Sequence, residues 1–379
     1  MYCYIRLTEK KYKKEGDKLI TLKSFKADEG DCFLVKVKEE EKTYNILIDG
    51  GKKDTYLENG LKTELLNIFN SEIEKIDLMI LTHIHDDHIG GIKALFEDDE
   101  IPNEILEKKI DNIWFNSAKI ISDYCKVPEI NNIKGREVEL NPKSIGTQIS
   151  KSQGYTLEKA IKDINKKLNI VKALDEYKLG NIRFIVLSPD EKRLSDLHEK
   201  WPDINSTEIS GSGGDVSRLI SDMINKDNYH PTDSDEFNGS SISFIMEYKK
   251  NDIEKRILFL GDSFSEINLN SLNTLKSLGK LKYNSDNKLI IDIIKLSHHG
   301  SIRNFHEKIL DIIDCKKFLI STNFSQNKYS IKRGIARVIG NCDEDIILYF
   351  NYNKIYEIFG TEYEKYKPIC RYVDEKLEV

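Results

Sequence analysis

The sequence has 379 residues, 39% of them hydrophobic, which is enough for one large domain or two ordinary ones with a substantial core. Its formal charge of −6, with Lys and Glu mixed along the chain, argues against a chain-wide electrostatic surface for nucleic acid. No apolar run is long enough to cross a bilayer, and the first residues lack the pattern of a secretory signal. We therefore expect a globular, cytoplasmic protein without membrane association.

The cysteines are widely scattered and form no C-x-x-C pair. This spacing predicts neither a disulfide framework nor a cysteine zinc site, so free thiols are expected. The cysteines are Cys3, Cys32, Cys125, Cys315, Cys342 and Cys370.

The N-terminal part of the chain predicts a β-meander, then a helix and a buried strand. Apolar residues between Leu19 and Ile48, divided by the turn-forming pair Gly30-Asp31, predict short strands that end in Asp49-Gly50-Gly51. An amphipathic helix is predicted over 61–70, and the apolar run 76–81 predicts a strand covered on both faces. The histidine-rich segment that follows lies beyond the carboxyl end of this strand, where ligand sites of covered sheets commonly form.

The middle of the chain, about 100–235, is predicted to be an irregular insertion. It contains a short predicted strand at 112–115, a helix near 157–168 and a strand over 182–187. The Gly- and Ser-rich end of its polar stretch 206–214 is expected to be either a flexible loop or an active-site lid.

The second half of the chain predicts another block of strands and helices. The strands are predicted at 241–246, 256–260, 290–296, 318–321 and 346–349, and the helices at about 270–278 and 304–313. Two successive blocks of this kind predict an α/β sandwich. We assign residues 15–350 to a single domain and 351–379 to a C-terminal extension, whose tyrosines are expected to pack rather than to stack on bases.

Four side chains that can bind metal occur within six residues, namely His83, His85, Asp87 and His88. In an extended segment His83 and His85 can point the same way, while Asp87 and His88 follow where a helix is predicted to begin. Imidazole nitrogen and carboxylate oxygen are suitable ligands for zinc, iron or manganese. A polar helix start capped by Asp87 would account for one or two of these residues but rarely for all four, so a metal site is favoured.

Further metal-capable side chains follow two later predicted strands. Asp262 ends the strand 256–260, and the pair His298-His299 follows the strand 290–296. Alone, Asp262 would be an ordinary turn aspartate. Together with the first cluster, these groups supply what a binuclear centre needs, since two metals about 3.5–4 Å apart are typically bridged by a carboxylate and a hydroxide.

These motifs resemble the metallo-β-lactamase superfamily, whose hallmark H-x-H-x-D-H stands at 83–88. The resemblance extends from about residue 20 to about residue 325. It continues through Gly30–Val35, Ile48–Gly51, Asn238–Ser241, Leu260–Asp262 and Lys295–Ser301. The late motifs are similar to the branch that contains the hydrolase domain of bacterial DNA-uptake (competence) proteins. The resemblance implies a four-layer αββα sandwich of metallo-β-lactamase type that holds two divalent metal ions, with zinc favoured and manganese or iron as alternatives.

Position by position, the resemblance implies that His83 and His85 hold one metal and that Asp87 and His88 hold the other. Asp262 would bridge the two ions. Two such ions lower the pKa of a bound water toward neutrality, and one of them polarises the oxygen under attack. Asp87 or Asp262 is then expected to accept the proton as the attack proceeds.

One of the adjacent histidines, His298 or His299, is expected to complete the second site. His299 is favoured as the ligand and His298 as a catalytic residue near the substrate, because neighbours on an extended strand end face opposite ways. Many members of the superfamily carry another histidine before the bridging aspartate, where this chain has Asn238–Ser241. The first metal is therefore expected to be coordinatively poorer, with Asn238 or water filling in. His230 lies nearby in sequence, but a histidine in a polar loop is more often solvated.

The favoured function is hydrolysis of a phosphoester in a nucleotide or a nucleic acid. Lys93, Lys295 and Arg303 lie near the motifs and favour a phosphate-containing substrate. An acyl or lactone hydrolase is the alternative enzyme, and it predicts an apolar pocket without a phosphate-binding cation. A non-hydrolytic metal-binding sensor or interaction module is a third possibility. Bound iron with visible absorption would favour redox chemistry, and colourless zinc or manganese would favour hydrolysis.

Overall fold

The computed structural model describes residues 19–125, 145–201, 214–224, 231–342, 345–374 and 376–379, with the backbone alone for 145–152 and 200. The strands in chain order are β1 Ile20–Ser24, β2 Phe33–Lys38, β3 Thr43–Ile48, β4 Ile76–Ile80, β5 Ile110–Trp114, β6 Glu176–Leu179, β7 Ile182–Ser188, β8 Ser243–Lys250, β9 Ile253–Phe259, β10 Leu289–Ile290, β11 Ile293–Lys295, β12 Ile313–Asp314, β13 Lys317–Ile320, β14 Ile347–Phe350, β15 Cys370–Tyr372 and β16 Leu377–Glu378. The α-helices are α1 Lys53–Leu57, α2 Leu61–Asn70, α3 Asp86–Phe96, α4 Asn103–Lys109, α5 Ala118–Cys125, α6 Ile145–Asp163, α7 Glu191–Lys200, α8 Ile220–Ile224, α9 Glu236–Gly239, α10 Ser265–Ser277, α11 Lys308–Ile312, α12 Lys328–Asn341, α13 Ile355–Phe359 and α14 Tyr363–Tyr366. Short 3₁₀ turns occupy Ser297–Gly300, Gly360–Glu362 and Lys367–Ile369.

The first sheet has the strand order β16-β1-β2-β3-β4-β5. Its strands β16, β1, β2 and β3 pair antiparallel, whereas β3, β4 and β5 pair parallel. Because β3 and β4 are parallel, with Ile48 beside Ile80, their carboxyl ends meet at one edge of the sheet. The turn after β3 and the histidine-rich segment after β4 therefore leave the sheet side by side.

The second sheet has the strand order β15-β14-β13-β11-β9-β8-β7-β6. Strands β9, β11, β13, β14 and β15 are parallel to one another, and β6 to β9 form an antiparallel meander. Lys295 lies beside Phe259 in the pairing of β11 with β9, so the segments after these two strands emerge together. Asp262, His298 and His299 are placed at this edge.

Three hydrophobic clusters separate four layers of secondary structure. Ile80 of β4 and Phe259 of β9 belong to the cluster between the two sheets. Met79, the neighbour of Ile80, belongs to a second cluster together with residues of α2 and α3. Leu258 belongs to a third cluster together with residues of α10 and α12. Because successive strand residues face opposite sides of a sheet, each sheet is covered by the other sheet and by helices, which confirms the four-layer αββα sandwich.

Most of the predicted elements are present. The helix predicted at 61–70 coincides with α2, and the strand predicted at 76–81 coincides with β4 apart from its last residue. The strand predicted at 290–296 is divided into β10 and β11. The division falls near Asp292, whose carboxylate accepts a hydrogen bond from the backbone nitrogen of Arg256 at 2.8 Å.

Two segments take part in the sheets. Within the described parts of 100–235, β5 forms an edge of the first sheet and β6 and β7 extend the second, and the insertion at about 100–235 stays a prediction. Residues 351–379, expected as an extension, contribute β15 to the second sheet and β16 to the first. Strands such as β6, with the sequence Glu-Tyr-Lys-Leu, are short and charged, which weakens their sequence pattern. The division at residue 350 stays a prediction, although these strands join the last segment to both sheets.

Among the described helices, none is long and apolar enough to cross a membrane. The cysteines in the described part of the chain are free thiols, as the spacing predicts; they are Cys32, Cys125, Cys315, Cys342 and Cys370. Cys3 and most of the stretch 206–214 lie outside the described residues.

Candidate metal centre

The histidine-rich segment is held at the end of β3 by close backbone packing. Asp49, with a φ of 54°, accepts hydrogen bonds from the backbone nitrogen and the hydroxyl of Thr82, both at 2.7 Å. The backbone nitrogen of Gly50 donates to the carbonyl of His88 at 2.7 Å. A Cβ on Gly91 would lie only 2.1 Å from the Gly50 carbonyl oxygen. Glycine at position 91 therefore allows α3 to begin this close to the turn.

The first four candidate ligands lie where β4 gives way to α3. His83 precedes the helix, and His85 is its N-cap, with an extended φ of −64° and ψ of 144°. Nε2 of His83 lies 3.1 Å from Nδ1 of His85, so two ring nitrogens converge. Asp87 and His88 lie in the first helical turn. His83 and His88 are buried, whereas the Asp87 side chain is 27% exposed and faces the opening of the site.

Asp262 lies at the centre of the imidazoles from both sheets. Gly261, with a φ of 48°, turns the chain after β9, and the backbone nitrogen of Asp262 donates to Oγ of Ser241 at 3.0 Å. One carboxylate oxygen, Oδ2, faces the Nε2 atoms of several histidines. The distances from Oδ2 to Nε2 are 4.0 Å for His83, 3.5 Å for His88, 3.7 Å for His298 and 3.6 Å for His299. Residues far apart in sequence thus meet around one carboxylate.

The backbone at His298 and His299 differs from the extended conformation that the sequence analysis assumed. Both residues are in the left-handed region, with φ and ψ of 46° and 53° for His298 and 58° and 20° for His299. Consecutive left-handed residues do not alternate sides as strand residues do, and both imidazoles point their Nε2 atoms at Asp262. The assignment of His299 to the metal and His298 to the substrate therefore loses its geometric premise and stays a prediction.

Each of the five histidines turns its second ring nitrogen toward an oxygen atom. These contacts are His83 Nδ1 to Thr82 Oγ1 at 3.1 Å, His85 Nε2 to Asp235 Oδ2 at 3.6 Å, His88 Nδ1 to Asp49 Oδ2 at 2.8 Å, His298 Nδ1 to Asn304 Oδ1 at 2.9 Å and His299 Nδ1 to Asp31 Oδ1 at 3.5 Å. Histidines that ligate metals almost always place the nitrogen away from the metal in such an environment, which sets the ring orientation and the tautomer. The five rings are therefore oriented toward a shared centre.

Most of these supporting groups carry no signal in the sequence that identifies them. Asp31 and Asp49 stand within strand motifs, and Asp233, Asp235 and Asn304 belong to none of the motifs. Asp233 and Asp235 lie in a polar loop, where aspartates are common and carry no distinctive spacing. Their role follows only from the fold, which brings that loop beside the segments after β4 and β11.

The charges in the cluster favour a cation at its centre. Burial would raise the pKa of Asp262, but the neighbouring imidazoles, His298 foremost, hold this pKa well below its usual value. Burial disfavours the imidazolium of His88, yet Asp262 raises the pKa of His88 well above its usual value. In contrast, burial and the charge of His88 hold the pKa of His83 well below its usual value. For His298, Asp262 and Asp233 outweigh burial and raise its pKa to about 10.

Several ligand atoms lack a partner of their own. His88 Nε2, Asp262 Oδ1 and His299 Nε2 are buried and accept or donate no hydrogen bond among the described residues. Three overlapping groups have candidate ligand atoms within 4.8 Å of one another: His83, His88 and Asp262; Asp87, His88 and His299; and Asp262, His298 and His299. Buried polar atoms are costly when unpaired, and nitrogen and oxygen donors suit zinc, manganese or iron. The residues therefore fit a binuclear metal site that shares Asp262.

The segment Asn238–Ser241 supplies no imidazole. Many members of the resembled superfamily carry a further histidine there. Ser241 Oγ lies 3.2 Å from His83 Nδ1, and Asn238 Nδ2 donates to Asp233 Oδ2 at 2.8 Å. The Asn238 Oδ1 atom is buried and unpaired within the described part of the chain. Asn238 therefore remains a candidate oxygen ligand. His230 lies outside the described residues.

Two of the three cations that were expected to favour phosphate have other partners. Lys295 is fully buried and forms an ion pair with Asp31, so it does not reach a substrate. Lys93 pairs with Glu97 on the same helix at 3.1 Å. Arg303 lines a cavity of about 410 Å³ whose lining includes Asp233 but none of the five candidate histidine ligands, and its guanidinium has no hydrogen-bond or ion-pair partner among the described residues. Of Lys93, Lys295 and Arg303, it is therefore Arg303 that remains available to bind a phosphate group.

Comparisons with solved structures give low similarity. The chain is similar to the metallo-beta-lactamase SMB-1 bound to 2-mercaptoethanesulfonate, with 13% identity, 74% of this chain and 78% of the other covered, and a TM-score of 0.30. It is similar to CmlA, a diiron beta-hydroxylase from Streptomyces venezuelae, with 10% identity, 95% of this chain and 54% of the other covered, and a TM-score of 0.40. It is also similar to the metallo-beta-lactamase GOB-18 from Elizabethkingia meningoseptica, with 14% identity, 77% of this chain and 84% of the other covered, and a TM-score of 0.29. No curated protein matches the chain. Because these scores are low, nothing about the reaction is transferred from them.

A family model matches a defined part of the chain. Residues 26–147 match the model of the metallo-beta-lactamase superfamily. The matched segment contains the turn after β3, the strand β4 and the hallmark at 83–88. The remaining candidate ligands follow strands of the second sheet. Residues 26–147 are therefore similar to the metallo-beta-lactamase superfamily, and the chain has an α/β fold of that type, with a His/Asp cluster that could hold metal where the two sheets meet.

Proposed function

We propose that the chain is a metal-dependent hydrolase that cleaves a phosphoester in a nucleotide or a nucleic acid. The observation that carries this proposal is the position of Asp262, whose Oδ2 lies between 3.5 and 4.0 Å from the Nε2 atoms of four histidines. A carboxylate shared by two groups of ligands supports a pair of metals, and paired metals suit in-line displacement at phosphorus because they clamp the attacking and leaving oxygens.

The candidate ligands divide into two groups that share Asp262. His83 and His85 would hold one ion, and Asp87, His88 and His299 would hold the other. When bound, divalent ions supply Lewis acidity and lower the pKa of a water molecule toward neutrality.

The protein's own residues then orient the site and move the proton. Asp262 is buried among imidazoles, so its carboxylate is fixed in place. Asp87 is partly exposed, and its Oδ2 lies 3.8 Å from His299 Nε2, at the mouth of the cluster. We assign proton acceptance to this carboxylate, because solvent reaches it and a buried bridging group would have to give up its imidazole neighbours. Arg303 supports a phosphate-containing substrate, since a guanidinium without a partner can bind two phosphate oxygens at once.

An acyl or lactone hydrolase remains the second candidate, because aromatic residues adjoin the opening. The ring of Phe237 lies 5.7 Å from that of His85, and Trp201 follows at 6.0 Å from Phe237. Tyr155 packs on Trp201 at 6.0 Å and is partly exposed. The three aromatic side chains Phe237, Trp201 and Tyr155 would suit an apolar acyl chain, but they would equally pack against a nucleobase.

The test is hydrolysis of bis-p-nitrophenyl phosphate by the metal-reconstituted protein, with an acyl homoserine lactone as the comparison substrate. The double variant His85→Ala/Asp87→Ala removes one candidate ligand from each metal, and His198→Ala removes an imidazole of α7 that is outside the cluster. Phosphodiester cleavage that needs metal, is lost in the double variant and persists in His198→Ala would support the proposal. Lactone cleavage alone would move the assignment to the second candidate. Two bound metals without either activity would favour a non-hydrolytic module.

A further inference from the structure

The Nδ1 side of His298 faces a group of buried polar side chains. Nδ1 of His298 lies 2.9 Å from Asn304 Oδ1 and 3.3 Å from Asp233 Oδ2. Asp233 is itself almost fully buried, and its Oδ2 accepts hydrogen bonds from Asn238 Nδ2 at 2.8 Å and Asn304 Nδ2 at 2.9 Å. The imidazole is thus held by a preorganised group of buried polar side chains.

This network determines which nitrogen of His298 carries the proton in the neutral ring. The amide nitrogen of Asn304 donates to Asp233 Oδ2 and also to the Asp262 carbonyl oxygen at 2.9 Å. Both are acceptors only, so the amide of Asn304 cannot be reversed, and its Oδ1 must accept a hydrogen bond. The donor to Oδ1 is the Nδ1–H of His298. Nε2 therefore carries a lone pair.

In the neutral ring, the lone pair on Nε2 can bind a cation. Nε2 of His298 and Oδ2 of Asp262 are two acceptors that face each other at 3.7 Å. Such a pair is satisfied when a positive charge lies between the two atoms, whether that charge is a proton or a metal ion. His83, His88 and His299 stand in the same relation to Asp262.

His298, His299 and Asp262 each offer one ligand atom, and these three atoms lie within 4.8 Å of one another. The segment Asn238–Ser241 supplies no histidine, and Ser241 Oγ is engaged by His83 Nδ1 and by the backbone nitrogen of Asp262. We propose that His298 is a metal ligand beside Asp262 and His299, so that both adjacent histidines ligate, and that Asp233 is the residue that positions His298. The left-handed backbone at both histidines is what allows neighbouring side chains to converge.

The experiment measures metal binding without substrate, so its result does not depend on whether the protein cleaves phosphoesters. The apoprotein is titrated with Zn²⁺ against a chromophoric chelator, and the Co²⁺ form is examined by visible absorption. The variants are His298→Ala, Asp233→Asn, which keeps the imidazole, and His198→Ala as the matched control. Urea denaturation of each apoprotein checks that the variant is folded.

The wild-type protein and His198→Ala should bind two ions. Asp233→Asn should weaken one of the two sites by about 10- to 100-fold, the usual effect of losing a partner of a ligating histidine, and His298→Ala should weaken that same site further. The Co²⁺ spectrum should change in both variants. Two sites with wild-type affinity and an unchanged Co²⁺ spectrum in His298→Ala would overturn the proposal.

Discussion

Lys295 and Asp31 form an ion pair that is buried directly behind the histidine cluster. Both side chains are almost completely inaccessible, and the second oxygen of Asp31 lies 3.5 Å from Nδ1 of His299. The charges of Lys295 and His299 outweigh burial and lower the pKa of Asp31. The pair therefore keeps an anion beside a candidate ligand without exposing it to solvent.

Lys295→Met should destabilise the protein strongly, because it leaves Asp31 buried and uncompensated. Removing one partner of a buried ion pair typically costs about 3–5 kcal/mol in the free energy of unfolding. Lys93→Met is the matched control, since Lys93 forms an i,i+4 pair with Glu97 on α3 that is worth about 0.3–0.5 kcal/mol. Urea denaturation of the two apoproteins at neutral pH makes the comparison. Equal midpoints for the two variants would contradict the structural role given to Lys295.

Gly91→Ala should loosen the start of α3 and weaken metal binding at the same time. The new Cβ would lie 2.1 Å from the Gly50 carbonyl oxygen, so the helix must move away from the turn that holds Asp49. Overpacking of this kind typically costs about 1–3 kcal/mol. Gly60→Ala is the control: the added Cβ meets no described atom within 4 Å, although its φ of 89° adds some strain. Zn²⁺ stoichiometry after dialysis should fall for Gly91→Ala and stay at two for Gly60→Ala.

Glu64→Gln should make the stability of the protein less sensitive to acid. Burial would raise the pKa of Glu64, but hydrogen bonds from Lys23 and Lys36 outweigh it and lower this pKa. Since the folded-state pKa lies below the unfolded value of about 4.3, the contribution is present above that pH and is lost as the pH falls through the folded-state pKa. Urea midpoints at pH 7 and pH 3.5 should differ less in Glu64→Gln than in the wild type. Glu104→Gln, exposed on α4, should retain the wild-type difference.

Removal of metal should lower the stability of the wild-type protein, since ligands that gather on folding bind the ion far better than the unfolded chain does. At a free metal concentration 100-fold above Kd, one site contributes about 2.7 kcal/mol. Thermal unfolding with and without a chelator measures this difference, and added Zn²⁺ should restore the original midpoint. The double variant His85→Ala/Asp87→Ala should show a smaller response to chelator. An identical response in the variant would mean that the metal binds elsewhere.

The local parts of the site could be predicted from the sequence. The hallmark at 83–88 places four donors within two turns of backbone, and hydrophobic patterning alone placed it after a buried strand. Asp262 and the pair His298-His299 were predicted from their positions after strands, and the parallel pairing of β9 with β11 brings those strand ends together. In each case the information lies within a short stretch of sequence.

The other parts of the site and of the fold depend on tertiary contacts that no short stretch of sequence encodes. Asp233 and Asn304 act on His298 across a separation of many residues, and neither has a distinctive neighbour in sequence. The left-handed conformation of two consecutive histidines runs against residue preference, so it could not be anticipated from patterning. The strands β15 and β16 are short, and their pairing becomes apparent only when the sheets that receive them are in place.

The candidate ligands come from two separate parts of the sequence, each associated with one of the two sheets. His83 and His88 follow a strand of the first sheet, whereas Asp262 and His299 follow strands of the second, and the candidate centre lies between these groups. An ion held from both sides would link the two sheets in the folded protein, and it would stabilise that state because the unfolded chain binds it less well. The described cysteines are free thiols, so a link of this kind would be opened by a chelator rather than by a reductant.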